Sequence, residues 1–213
     1  MAYDLQEQES LDELKAWWDK WGTLTMTAVT IVCIGFAAHN GWKWYQRSQA
    51  AEAAVAYSSL QDSIIRRADV AQIENIADKM LADTGSTVYA ALGALSAAKH
   101  MESLGDTAKA GKYLTWVINQ SDRSEYNTIA RVRMAGLMID QKRFDEALKL
   151  LNDAKPAAKE VAMVKDRMGD IYFAKGDVAN ARAQWEAAMA QPIDQTLAGF
   201  VNLKLQALPE IQK

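Results

Sequence analysis

"MVKDRMGDIYFAKGDVANARAQWEAAMAQP", Met163 to Pro192, decides how the rest of the chain is read. Apolar and small residues recur at helical spacing on both sides of Gly176-Asp177, a pair suited to ending one helix and capping the next. The stretch therefore predicts two helices folded back on each other. Gly169 and Ala181 are small where the two must approach, Tyr172 and Trp185 fill the space beside them, and Ala188 lets a following helix pack.

Upstream the same punctuation returns. Aligning "ADVAQI" (68 to 73), "GDTAKA" (105 to 110), "KRFDEA" (142 to 147) and "GDVANA" (176 to 181) puts Ile73, Ala110, Ala147 and Ala181 at equivalent points, separated by 37, 37 and 34 residues. A helix-turn-helix unit of that period is what the tetratricopeptide class shows. The small-large alternation continues in Ala135, Ala147, Leu151 and Ala154, then in Ala98, Ala110 and Leu114, and degenerates in the first unit, where Ile73 stands for alanine. The first-helix tryptophan usual in such repeats is replaced by Ala94, Arg131 and Lys165. Stacked hairpins need caps at their ends. "DQTLAGFVNLKLQAL" (194 to 208), between Pro192 and Pro209, is expected to close the stack with Leu197, Phe200, Val201 and Leu208 turned inward.

The N-terminal part obeys different rules. Between Lys20 and Lys43 lie 22 residues without a formal charge, enough for a helix of roughly 31 Å against a hydrocarbon core of about 30 Å. Trp17, Trp18 and Trp21 stand before it and Trp42, Trp44 and Tyr45 at its end, where amphipathic rings sit at headgroup level. A cleaved signal is disfavoured, because residues 1 to 20 hold six acids against Lys15 and Lys20 and no small-residue cleavage site follows. A buried soluble helix is the alternative, since Thr23, Thr25, Thr27, Thr30 and His39-Asn40 temper the hydrophobicity. Before the span, Ser10-Leu11-Asp12-Glu13 reads as a capping box that starts a short amphipathic helix, with Leu11, Leu14, Trp18 and Trp21 on one face. The expected organisation is an acidic tail (1–20), a transmembrane helix (21–44) and a helical repeat domain (45–213) in an all-α fold, a tetratricopeptide-like α-solenoid. Orientation is undecided: two basic residues flank each end of the span.

Charge narrows the function. The net charge of −3 belongs entirely to the first 44 residues, and the remainder balances 21 basic against 21 acidic side chains. Nucleic acid needs a basic face, so it is not an expected partner. The sole cysteine, Cys33, lies within the span, which leaves no internal disulfide.

Chemistry is hard to find. "GDTAKAGKY" (105 to 113) has five residues between its glycines and Tyr113 where a phosphate loop places Ser or Thr, so the cradle geometry fails. His39 and His100 lack second ligands at metal spacing, and Asp166, Asp170 and Asp177 sit where carboxylates decorate or cap helices. No cofactor, metal or catalytic residue is expected. The remaining candidate is the wall formed by the first helices of the hairpins: Leu95, Lys99 and Glu102, then Val132, Gly136 and Ile139, then Asp166, Asp170 and Phe173, a mixture suited to a polypeptide. Opening and closing helices that cover this wall are the competing expectation. In the span, Thr23, Thr27 and Thr30 share a face that either docks a partner's transmembrane helix or is simply tolerated in lipid.

The layout as a whole resembles the YfgM-like ancillary subunits of the bacterial SecYEG translocon, on the acidic tail, a single span leaving through "GWKWYQ" (41 to 46), "AYSSL" (56 to 60), "VYAALGALSAAK" (88 to 99) and especially "KGDVANARAQWEAAMA" (175 to 190). The resemblance implies a bacterial inner-membrane protein with a cytoplasmic N-terminus and a periplasmic helical domain. It also implies association with the SecYEG translocon and a PpiD-like membrane-anchored chaperone, and a part in passing exported client proteins to periplasmic chaperones. No catalytic residues are carried over. A membrane-bound adaptor that sequesters a signalling protein is the alternative function, and a hydrolase with an unrecognised carboxylate pair a third.

Overall fold

The computed structural model describes residues 2–120 and 124–208, with side chains described for 10–120 and 125–208. Among these residues regular structure is helical throughout: α1 (Ala2–Ile65), α2 (Val70–Thr84), α3 (Val88–Ser103), α4 (Thr107–Gln120), α5 (Ser124–Asp140), α6 (Phe144–Asn152), a short 3₁₀ turn (Ala158–Glu160), α7 (Val161–Ala174), α8 (Val178–Met189) and α9 (Gln195–Ala207). The chain divides into two compact units, Met1–Gln49 and Ala50–Lys213.

In the first unit, α1 runs without interruption through the span expected to cross a membrane. The helix start expected at Ser10 is not there, because α1 already begins at Ala2. A capping sequence caps only where the preceding residues leave the helix, and "AYDLQEQE" is rich in residues that continue one. Thr25, Thr27 and Thr30 each donate the hydroxyl to a carbonyl one turn back, at 3.0, 2.7 and 2.7 Å. Their polarity is satisfied within the helix, which is what hydrocarbon demands. The six aromatic residues flanking the span are all exposed, and the Trp18 ring folds over Gly22.

The second unit stacks four hairpins and a closing helix. Residues 50–65 of α1 pair with α2, α3 with α4, α5 with α6 and α7 with α8. Every hairpin turns the same way. Arg67, Gly105, Lys142 and Gly176 adopt left-handed backbone, with φ of 54°, 78°, 59° and 85°. The next residue's N–H then reaches back to the carbonyl five positions earlier, from Ala68 to Ser63, Asp106 to Met101, Arg143 to Met138 and Asp177 to Tyr172, at 2.8 to 2.9 Å. Each first helix thus ends in a Schellman cap, with orphan carbonyls satisfied before the chain reverses. Six residues after each left-handed residue in the first hairpin, and five after it in the others, come Ile73, Ala110, Ala147 and Ala181, all fully buried.

Three apolar clusters follow one another along the stack. Leu60, Ile73, Met101, Tyr113 and Leu114 anchor the first, Ala147, Leu151 and Ile171 the second, and Trp185, Val201 and Leu208 the third. Ion pairs join successive hairpins, Lys109 to Glu74 at 2.9 Å, Lys112 to Asp78 at 2.7 Å and Lys175 to Asp145 at 2.7 Å. The third hairpin is irregular: α6 is short, and residues 153–160 cross to α7. Glu160 is buried there, where its carboxylate accepts from Thr128 Oγ1 at 2.8 Å and from the Ala157 N–H at 3.0 Å. Arg131, standing where repeats usually place tryptophan, donates to the Leu150 carbonyl in the last turn of α6 at 3.0 Å and to Asn127 at 2.7 Å. The guanidinium satisfies a last-turn carbonyl lying between the two, of Lys149 and Leu151, that the backbone N–H groups of Asp153 and Ala154 take up.

α9 closes the stack as expected, with Asp194 accepting from the N–H groups of Thr196 and Leu197 at its start. Leu197, Val201 and Leu208 face inward, but Phe200 is 60% exposed and Leu205 takes the inward place. A helix has one inward stripe, and Val201, Lys204, Leu205 and Leu208 fill it. Pro209, expected to stop α9, lies outside the described residues.

Candidate functional site

The wall made by α3, α5 and α7 contains the nine residues singled out from sequence, and the fold treats them differently. Leu95 and Val132 are buried in the first and second clusters, and Ile139 packs against the second. Lys99 and Glu102 point to solvent from α3. Arg133 donates to the Leu95 carbonyl at 3.1 Å, tying α5 to α3 across this surface.

Gly136, Asp166, Asp170 and Phe173 gather at one end of the wall. Gly136 leaves room for the Arg167 guanidinium, whose carbon lies 3.8 Å from where a Cβ would stand. Arg167 in turn pairs with Asp170 at 3.2 Å. Asp166 and Asp170, four residues apart, project from the same side of α7, and Lys204 of α9 reaches between them, its ammonium 2.6 Å from an oxygen of each. The same ammonium lies 5.6 Å from the centre of the Trp185 ring, which also stands 5.8 Å from the ring of Phe173. Burial pushes the Asp166 carboxyl above its usual value, opposed by the Lys204 hydrogen bond, while the charge of Asp170 adds to the rise.

The sequence reading missed Lys204. A lysine among apolar residues in a closing helix resembles any solvated position, and only the i, i+4 carboxylates on α7 mark where its charge would be needed. Trp185 was read as a space filler, which it is. It also donates its indole N–H to the Asp166 carbonyl at 3.1 Å.

In the first unit, Thr23, Thr27 and Thr30 lie along one exposed side of α1 with Trp18, Gly22, Met26 and Ile31, forming a shallow open groove. Among the described residues no cluster of three or more His, Cys, Asp or Glu has the arrangement of a metal site.

Comparison with known proteins agrees with this architecture. The chain is 28% identical to the ancillary SecYEG translocon subunit of Haemophilus influenzae over 98% of its own length and all of that protein's. It is 24% identical to the protein of the same name in Neisseria gonorrhoeae, over 98% of this chain and all of the other. The Escherichia coli protein of that name is 24% identical over 83% of this chain and 85% of its own. No solved structure matches the chain. The sequence profile of the tetratricopeptide repeat-like domain covers residues 15–210, and the chain belongs to that family.

Proposed function

We propose that this protein is a membrane-tethered, protein-binding scaffold at the Sec translocon, where it assists the transfer of exported proteins to periplasmic chaperones. The observation that carries the reading is alignment over almost the whole chain, apolar helix included, with proteins named ancillary SecYEG translocon subunit. A stacked-hairpin domain adds a surface of the kind that binds polypeptides.

In this reading α1 anchors the chain in the bacterial inner membrane with its N-terminus cytoplasmic and the repeat domain periplasmic. The threonine face of Thr23, Thr27 and Thr30 meets a partner's transmembrane helix, and the first-helix wall meets the translocon, a PpiD-like chaperone or an exported client. Tethering replaces high affinity: two partners confined to one membrane meet at millimolar effective concentration, so weak contacts suffice. Binding, not turnover, is the work.

Site-specific photo-crosslinking in intact cells from Thr27, Ile139 and Phe173 tests the proposal. Adducts with translocon or chaperone subunits are expected. Exclusive capture of cytoplasmic proteins from the two repeat-domain positions would reverse the orientation and replace the export role with that of a cytoplasmic adaptor.

A further inference from the structure

The repeat wall carries a cage for an ammonium group, and the chain fills that cage itself. Lys204 brings one positive charge to two carboxylates, Asp166 and Asp170, each at 2.6 Å. The indole face of Trp185 lies 5.6 Å from that charge. On α7 the neighbouring cation is Arg167, which forms an ion pair with Asp170 and reaches Asp166 only through its longer-range charge. Taking Lys204 away therefore leaves Asp166, buried on α7, with only the more distant charge of Arg167 to oppose its burial. Such a carboxylate is costly, and a cation that takes the place of Lys204 relieves the cost.

Lys204 arrives on α9, the last helix described. Its seat is the small third cluster, through Leu197, Val201, Leu205 and Leu208. The opposite side of α9 leaves Phe200 and Leu203 exposed, so the helix does not present the polar outer face of an ordinary cap. Lys204 itself is 30% exposed, so the cage opens to solvent beside it.

The geometry points to a lysine-recognition site at the end of the first-helix wall, formed by Asp166 and Asp170 of α7 with Trp185 of α8 and occupied in cis by Lys204, which a lysine side chain of an incoming polypeptide replaces when α9 shifts. The inference rests on the wall being a polypeptide site, as proposed above. A lysine fits better than an arginine: a compact ammonium can donate to two carboxylates and meet an indole at once, whereas a guanidinium favours a planar, bidentate pairing with one carboxylate.

The test uses the full-length chain in detergent micelles and an acetylated, amidated heptapeptide with one central lysine, compared with the same peptide carrying norleucine or arginine. Lys204→Met keeps the stem against Trp185 and empties the cage, and should raise lysine-peptide affinity about tenfold over the native chain by removing the internal competitor. Norleucine should bind neither protein. Adding Asp166→Asn and Asp170→Asn should erase the gain. Should circular dichroism show that Lys204→Met loses α9, Leu205→Ala serves instead: it loosens the seat, keeps the cage and should also raise lysine-peptide affinity. Equal affinity of the native and well-folded variant chains for lysine and norleucine peptides would overturn the inference and make Lys204 a structural staple. That result leaves the cellular crosslinks from Phe173 unaffected. Loss of those crosslinks would sink the scaffold reading and leave the peptide result standing.

Discussion

Gly169 lies directly beneath the Trp185 indole: a Cβ built on the glycine would stand 2.4 Å from the ring's Cδ1 and Nε1. The contact joins the two helices of the last hairpin, and the ring is held in place by its hydrogen bond to the Asp166 carbonyl. Neither side can yield. Gly169→Ala gains helix propensity yet overpacks a fixed ring, so it should destabilise the repeat domain by about 1–3 kcal/mol. Urea unfolding of the native and variant proteins measures it, and a variant at least as stable as the parent would refute the close-packing account.

The four hairpin turns permit a comparison within one molecule. Gly105 and Gly176 take the left-handed position without a side-chain penalty, whereas Arg67 and Lys142 take it with one. Lys142→Gly should be neutral or stabilising by up to about 1 kcal/mol, while Gly176→Ala should cost about 1 kcal/mol, since open space surrounds the glycine and backbone strain alone is at issue. Opposite signs in paired melting curves are the expected result. Equal losses would mean that the turns are held by something other than backbone conformation.

These turns also show what the sequence made legible. Spacing between breakers located all four reversals and the buried positions Ile73, Ala110, Ala147 and Ala181, because a stacked repeat must place small or apolar residues wherever helices meet. The long apolar helix was legible for a similar reason, as length and absence of charge are local properties. The Lys204 cage was not, since its members come from α7, α8 and α9, and nothing local records that a lysine will meet carboxylates 34 and 38 residues earlier. Phe200 was misassigned because periodicity gives the width of a helix's apolar stripe but not its phase against an unseen neighbour.

Arg131 marks the place where the repeat pattern was rewritten. Its guanidinium supports the end of α6 through the Leu150 carbonyl and is positioned by Asn127. Arg131→Ala should remove a charged hydrogen bond to a part-buried carbonyl and cost about 1.5–3 kcal/mol. Arg131→Lys, which lacks the planar fork, should recover only part of this. Hydrogen exchange should show the loss first in α6 and in residues 153–160. A uniform change across all hairpins would contradict a local capping role.

Asp166 gives the domain a pH dependence of unusual sign. Its folded carboxyl sits above the ordinary value, mainly through burial and secondarily through Asp170 on its own helix, with Lys204 of α9 and Arg167 opposing. The folded state therefore holds this proton more tightly than the unfolded chain does. Its contribution favours folding below the unfolded value of about 3.9 and is lost as pH rises through the raised folded value. Glu146 and Asp177 titrate in the opposite direction, held low by Arg143 and by Asn180, so the effect must be read as a difference. Asp166→Asn should gain on the parent as pH rises from 4 to 7. A stability difference independent of pH would place the Asp166 carboxyl at its ordinary value.

The membrane assignment turns on charge, not on length alone. The uncharged run between Lys20 and Lys43 has its midpoint near Ile31 and Val32, and the threonines around it keep their hydroxyls inside the helix. A lysine at the centre of a span costs about 3 kcal/mol, part of it recovered when the side chain snorkels toward the interface. Ile31→Lys alone should reduce the fraction of the chain that resists alkaline carbonate extraction, and Ile31→Lys with Ile34→Lys should abolish it, while Thr27→Leu leaves it unchanged. The helix itself persists in all three, since lysine and leucine are both good helix formers. Carbonate resistance of the double variant equal to the parent's would show that something other than this helix holds the protein to the membrane.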